Sequence, residues 1–329
     1  MTASSSVRYH FSRLGTAYLA MTTAFMAVAY ILQLAAMVLR PSLLGEWWFG
    51  WTMSILPLYA VGLPVLWFFL RRLPVSPHNE NYTPANGGAA IEKPSFGIRE
   101  WLVLLVIAFG GMTAGGLAGN TIMAVLSELT QYDYAFALNS MVADTPVWFT
   151  CLCTCICAPL GEELLFRKFL IDRTRQYGDL TAILLSGLLF GLFHGNLFQL
   201  FYAVLVGMVL AYTYTRSGSY LWCVAMHASI NFMGSVVIPA LTRLLPADPS
   251  TITTSSPLVI YVILLIWQYG MLIAGIFLFR ANIGHRKLSW GSENIGKIPP
   301  ISAALLNPGM IACMVIMLAL VVVNLIPAG

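Results

Sequence analysis

Charge is what this chain lacks most. Lys and Arg number 17 and Asp and Glu 13 in 329 residues, together 9%, where an ordinary soluble domain carries about 25%. That deficit excludes a water-facing globular surface. Alternation of apolar and polar residues is also missing, because the apolar runs are continuous, and this excludes a transmembrane β-barrel. No internal repeat and no low-complexity tract is present. Cysteines in CxxC-like pairs are absent: four of the six fall in CLCTCIC, at 151, 153, 155 and 157. A period of two spreads them around a helix, which suits small apolar residues rather than metal ligands or a disulfide framework. A cleavable signal peptide is not expected, because Arg8 and Arg13 precede a first apolar run too long for a signal core. The net charge of +4 gives no reason to expect a nucleic-acid partner.

What is abundant is apolar length. Hydrophobic residues make up 59% of the chain, and mean hydropathy is +0.80. A hydrocarbon core of about 30 Å is crossed by roughly 20 apolar helical residues. Runs at about 15–39, 47–70, 101–125, 147–171, 180–195, 197–215, 219–242, 257–279 and 308–327 meet or approach that length. The chain therefore reads as all-α, a single transmembrane domain over 1–329 with a bundle of about eight to nine helices. The fifth run is short, and the sixth follows it so closely in sequence that the two form a tight hairpin.

Basic residues set the orientation. With the N-terminus inside, 15 of the 17 Lys and Arg fall on the cytoplasmic side and only Arg40 and Arg243 outside, as the positive-inside bias requires. The expectation is a multi-pass protein of the cell membrane with a cytoplasmic N-terminus. The segment 71–100, rich in Pro and Gly, reads as a cytoplasmic loop. Gly111, Gly115 and Gly119 repeat every four residues, a spacing that lets helices approach closely, here more readily within the chain than between chains.

Ionisable groups deep in the apolar runs are few. Eleven of the 13 acidic residues lie in loops or at span ends, leaving Glu162 and Glu163. Of the five histidines, only His194 and His227 are in apolar runs. Such groups cost several kcal/mol in a bilayer and mark function by default. At ~1.5 Å per residue from the cytoplasmic boundary, Glu162 lies about 16 Å deep, His227 about 12 Å, Asn231 about 18 Å and His194 about 22 Å. Three helices can thus bring them around one cavity.

Spacing assigns provisional roles. Glu163 and Arg167 are four apart and share a helix face, so they read as a supporting ion pair. Glu162 points about 100° away and has no local cation. A carboxylate with no cation to engage it is free to act as a general base. His227 and Asn231 are four apart and face one cavity. Phe190 and His194 do the same, with Phe190 shaping the wall.

The three patterns EExxxR (Glu162–Arg167), FxxxH (Phe190–His194) and HxxxN (His227–Asn231), in this order and over about 145–240, resemble those of the CPBP family of intramembrane proteases. That family takes in CAAX prenyl endopeptidases and the bacterial Abi or bacteriocin-immunity proteins. The resemblance implies an intramembrane endopeptidase acting on hydrophobic or membrane-proximal, CAAX-like peptides or membrane proteins. It also implies that Glu162 and His194 activate a water and that His227 and Asn231 stabilise the oxyanion, without a metal. A zinc reading with Glu162, His194 and His227 as ligands stands beside it, although no HExxH pattern occurs. Two other functions use similar residues. A proton-coupled transporter places Glu and His inside the membrane, and an immunity or scaffold protein uses such a bundle without catalysis.

Overall fold

The computed structural model describes residues 3–75, 96–132, 134, 145–246, 255–283, 288 and 300–326. Most of the 71–100 loop, the greater part of the loop before 145, and much of the 247–257 segment lie outside the described residues. What is described is helical, with no strand. The helices are α1 (Ala3–Leu39), α2 (Trp47–Leu70), α3 (Ile98–Thr130), α4 (Val147–Tyr177), α5 (Asp179–Phe193), α6 (Leu197–Ser217), α7 (Tyr220–Thr242), α8 (Ser255–Ile283), the short α9 (Pro300–Leu305) and α10 (Pro308–Val323). Among the described residues, seven helices are long and apolar enough to cross a membrane, while α5 and α10 are shorter apolar helices. This is the polytopic bundle expected from the nine runs.

α6 sits between α3 and α5, α8 packs on the far side of α3, and α10 lies along α1. Two apolar cores result. One joins α1, α2, α4, α5 and α10 through Phe11, Tyr18, Leu66, Phe166 and Phe190. The other joins α3 to α8 through Phe109, Ile171, Leu210, Met226 and Trp267. α8 turns Ile266, Ile273 and Phe277 outward, the surface that a lipid solvent accepts and water does not.

Within a bilayer, apolar surface gives helices little reason to associate, so close contact depends on small residues. Gly115 and Gly119 of α3 show this. A side-chain carbon on Gly115 would overlap the backbone of Tyr202, and one on Gly119 would press on the Phe198 carbonyl. The glycine repeat therefore serves the α3–α6 contact within the chain.

The α5–α6 hairpin turns at Gly195, whose φ of +64° favours glycine. Asn196 then caps α6, its Oδ1 accepting from the Gln199 N–H at 2.8 Å. Such a cap contributes about 1 kcal/mol. Asn324, at the end of α10, donates to the Gly195 carbonyl at 2.8 Å. The turn that carries His194 is thereby fixed from two sides.

Candidate active site

The site begins with the winding of α4. The Ala158 N–H bonds to the carbonyl of Cys153 and the Leu170 N–H reaches that of Leu165, five residues back in each case. These wide π turns, Leu152–Cys157 and Leu164–Phe169, bracket six residues of ordinary helix, Ala158–Glu163. π turns inside α-helices occur frequently at functional sites. In the first one the partner of the Thr154 carbonyl would be the N–H of residue 159. That residue is proline and has none. The Asn231 amide of α7 fills the gap, donating to the Thr154 carbonyl at 2.7 Å.

The same device recurs along α4. Tyr59 of α2 donates to the Cys157 carbonyl and Tyr220 of α7 to that of Leu160. Tyr18 of α1 donates to the Leu165 carbonyl at 2.6 Å, and Ser186 of α5 to that of Phe166 at 2.9 Å. Side chains from four helices therefore hold the backbone of α4. Neighbouring helices must satisfy such carbonyls because the bilayer offers no water.

On this braced helix Glu163 and Arg167 are both wholly buried and paired, with Nε 2.8 Å from Oε2. Arg167 is anchored as well by Ser186, whose Oγ accepts at 2.9 Å, and its guanidinium lies 4.7 Å from the centre of the Phe190 ring. Glu163 does more than balance the arginine. Its Oε1 is 2.8 Å from His227 Nδ1. A carboxylate accepts, so Nδ1 carries the proton and the ring presents Nε2 elsewhere.

Nε2 faces Glu162, with Oε2 at 3.9 Å. That oxygen is buried and has no hydrogen-bond partner. The separation is too long for a direct hydrogen bond and suits one bridging water. His227 therefore stands between the two glutamates, one nitrogen clamped and one available.

Phe190 is the hub of the site. Its ring meets His194 at 4.8 Å, His227 at 5.6 Å and Phe166 at 5.4 Å, all near perpendicular. His194 ends α5, with Nδ1 2.7 Å from the Phe190 carbonyl. The carbonyl can only accept, so Nδ1 donates and Nε2 keeps its lone pair. Among the described residues, His194 makes no ion pair with either glutamate, and it joins the cluster through the Phe190 ring.

The sequence-derived residues thus fall into two groups. Glu162, Glu163, Arg167, Phe190 and His227 are brought into one contiguous cluster. His194 and Asn231 stand at its edges, the first behind Phe190 and the second with its amide nitrogen on Thr154. No three His, Cys, Asp or Glu side chains among the described residues are grouped to hold a metal ion. The four cysteines of CLCTCIC are free thiols, Cys153 and Cys155 buried and the other two half-buried. Sequence reasoning missed Ser186, Tyr18, Tyr59 and Tyr220. Pro159 was the one signal that a carbonyl of this span would need an outside donor.

Fold and site together define a polytopic α-helical membrane protein with a Glu–Glu–Arg–His cluster on two of its helices. Residues 144–233, just over a quarter of the chain, match the family model described as Rce1-like: Type II CAAX prenyl endopeptidase Rce1-like. The matched segment carries all three motifs, and the chain is similar to that family over those residues. Comparison with curated proteins gave no match, and comparison with solved structures gave none.

Proposed function

We propose that the protein is an intramembrane endopeptidase that hydrolyses peptide bonds of hydrophobic or membrane-proximal substrates, CAAX-like C-terminal segments among them. The observation that carries this reading is the unpartnered, buried Oε2 of Glu162, 3.9 Å from His227 Nε2. A water between them has a base on one side and an oriented imidazole on the other.

In this reading Glu162 takes a proton from the water as the oxygen attacks the scissile carbonyl carbon. His194 Nε2 helps to hold that water. Charge develops on the carbonyl oxygen, where two groups donate to it: the second N–H of Asn231, and His227 Nε2, which carries a proton taken from solvent before the reaction and keeps it throughout. Glu163, itself held by Arg167, stabilises that imidazolium through Nδ1. Glu162 then passes its proton to the leaving amine, the C–N bond breaks, and the carboxylate returns to its starting state. Glu163 is a poor base here because both its oxygens are engaged. No metal is needed for any step.

Cleavage of a quenched peptide library by the purified protein in detergent tests this. Glu162→Gln should lose about 10²–10⁴-fold in rate, the usual size of a general-base contribution, and His194→Ala should fall with it. A metal chelator should leave the wild-type rate unchanged. Wild-type cleavage by Glu162→Gln would overturn the assignment. Loss of activity to chelator with recovery on added zinc would replace it with the metal reading.

A further inference from the structure

Beyond the glutamates, the final turn of α4 opens onto a cavity of about 410 Å³. Ligand pockets commonly span about 300–1,000 Å³. Three helix ends build it: the first turns of α1, the chain just past α2, and the last residues of α4. Its polar lining is Arg13, Arg72, His10, Ser6 and Gln176, and Tyr177 forms part of the apolar wall. Among the described residues, neither Asp nor Glu lines it.

Among the described residues, neither arginine has a carboxylate partner. Arg13 lies against the Tyr9 ring at 5.9 Å, and Arg72 makes no ion pair among the described residues. Two other cations at this end of the bundle are paired. Lys168 pairs with Asp172 at 2.8 Å and Arg175 with Asp179 at 3.0 Å. The cavity thus holds two guanidinium groups that make no ion pair among the described residues. It also lies at the end where sequence puts most of the basic residues.

We propose that this pocket binds the phosphate group of an anionic ligand, either a phospholipid headgroup or free phosphate. Guanidinium groups bind phosphate oxygens through paired, charge-assisted hydrogen bonds. Basic pockets between transmembrane helices take anionic headgroups in this way. Val7, Leu73 and Pro74 at the same cavity offer apolar surface to the ester side. The ligand would bridge α1, α2 and α4. Those three are already tied there: His10 Nε2 is 2.8 Å from the Arg173 carbonyl, and Arg173 Nε donates to the Leu70 carbonyl at 3.2 Å. This proposal stands independently of the reaction above.

The test uses the full chain in a non-ionic detergent. Binding and thermal melting are followed with dihexanoyl phosphatidylglycerol, dihexanoyl phosphatidylcholine and inorganic phosphate. The anionic lipid should bind at least tenfold more tightly than the zwitterionic one and raise the melting midpoint. Arg72→Gln, at an exposed position, and the double variant Arg13→Gln/Arg72→Gln should each bind it at least tenfold more weakly, with ligand-free melting unchanged for Arg72→Gln. Saturation by the anionic lipid alone assigns the site to the headgroup, and saturation also by inorganic phosphate assigns it to the phosphate group itself. Equal binding of the two lipids, or full binding by the Arg72→Gln and double variants, overturns the proposal.

Discussion

Glu163 and His227 are joined by a 2.8 Å hydrogen bond across 64 residues of sequence. That contact links the α4 ion pair to the α7 histidine, so the charge on Glu163 is shared between Arg167 and an imidazole. The two adjacent glutamates consequently differ in kind. Glu163 is wholly buried, with one oxygen ion-paired to Arg167 and the other bonded to His227, whereas Glu162 keeps an oxygen with no partner that close.

That difference predicts a split between stability and activity. Glu163→Gln leaves Arg167 buried without its counter-charge, a defect that costs about 3–5 kcal/mol. Glu162→Gln removes no bonded partner and should melt like wild type while losing cleavage. Melting in detergent beside peptide hydrolysis separates them. Equal melting of the two variants would show that the assignment of support and base is mistaken.

Asn231 and Thr154 give a second test. Asn231→Ala strips the donor from a buried carbonyl, at a cost of about 1–3 kcal/mol. Pro159→Ala supplies an N–H at the position where the wide turn needs one. In a double-mutant cycle the two changes should couple, with the loss from Asn231→Ala smaller in the Pro159→Ala background. Strict additivity would mean that Asn231 does not answer the missing proline N–H.

The α3–α6 crossing predicts a contrast between adjacent glycines. Gly115→Ala forces its new carbon into the Tyr202 backbone, an overpacking that costs about 1–3 kcal/mol. Gly116 has nothing within 4 Å of such a carbon, so Gly116→Ala should be neutral or slightly stabilising, as alanine is the better helix former. Melting of the two variants in parallel decides it, and equal effects would refute the close crossing.

Orientation is open to a direct measurement. Reporter fusions placed within 76–95 should read cytoplasmic, and fusions placed after Arg243 should read external. The opposite pattern would reverse the reading taken from the basic residues.

Much of this was legible in the sequence. Continuous apolar runs gave the helices, because apolar length is what a bilayer demands. Glu162, Glu163, His194 and His227 stood out because charge inside such runs is costly. The i, i+4 spacing anticipated the Glu163–Arg167 pair, which depends only on local helix geometry. What spacing along one helix does not carry is contact between helices. The Glu163–His227 bond was therefore not anticipated, nor was Phe190 as the ring shared by both histidines. The tyrosines that donate to α4 looked like ordinary span residues, since a hydroxyl's partner depends on which backbone passes beside it. Asn231 looked like a residue facing the cavity. Its bond to Thr154 follows from the two wide turns, and local propensity gives little sign of those.

Those turns have one more consequence. Each five-residue closure puts an extra residue into the winding and rotates all that follows, so Ala158–Glu163 has a phase of its own. The direction in which the glutamates point is set by the number of residues in 152–157. Removing one residue there would turn the six-residue segment by about 100° and swing both carboxylates away from α7. The apolar character of the span would hardly change. Aim and membrane insertion are thus specified by separate properties of the same helix, residue count for the first and composition for the second.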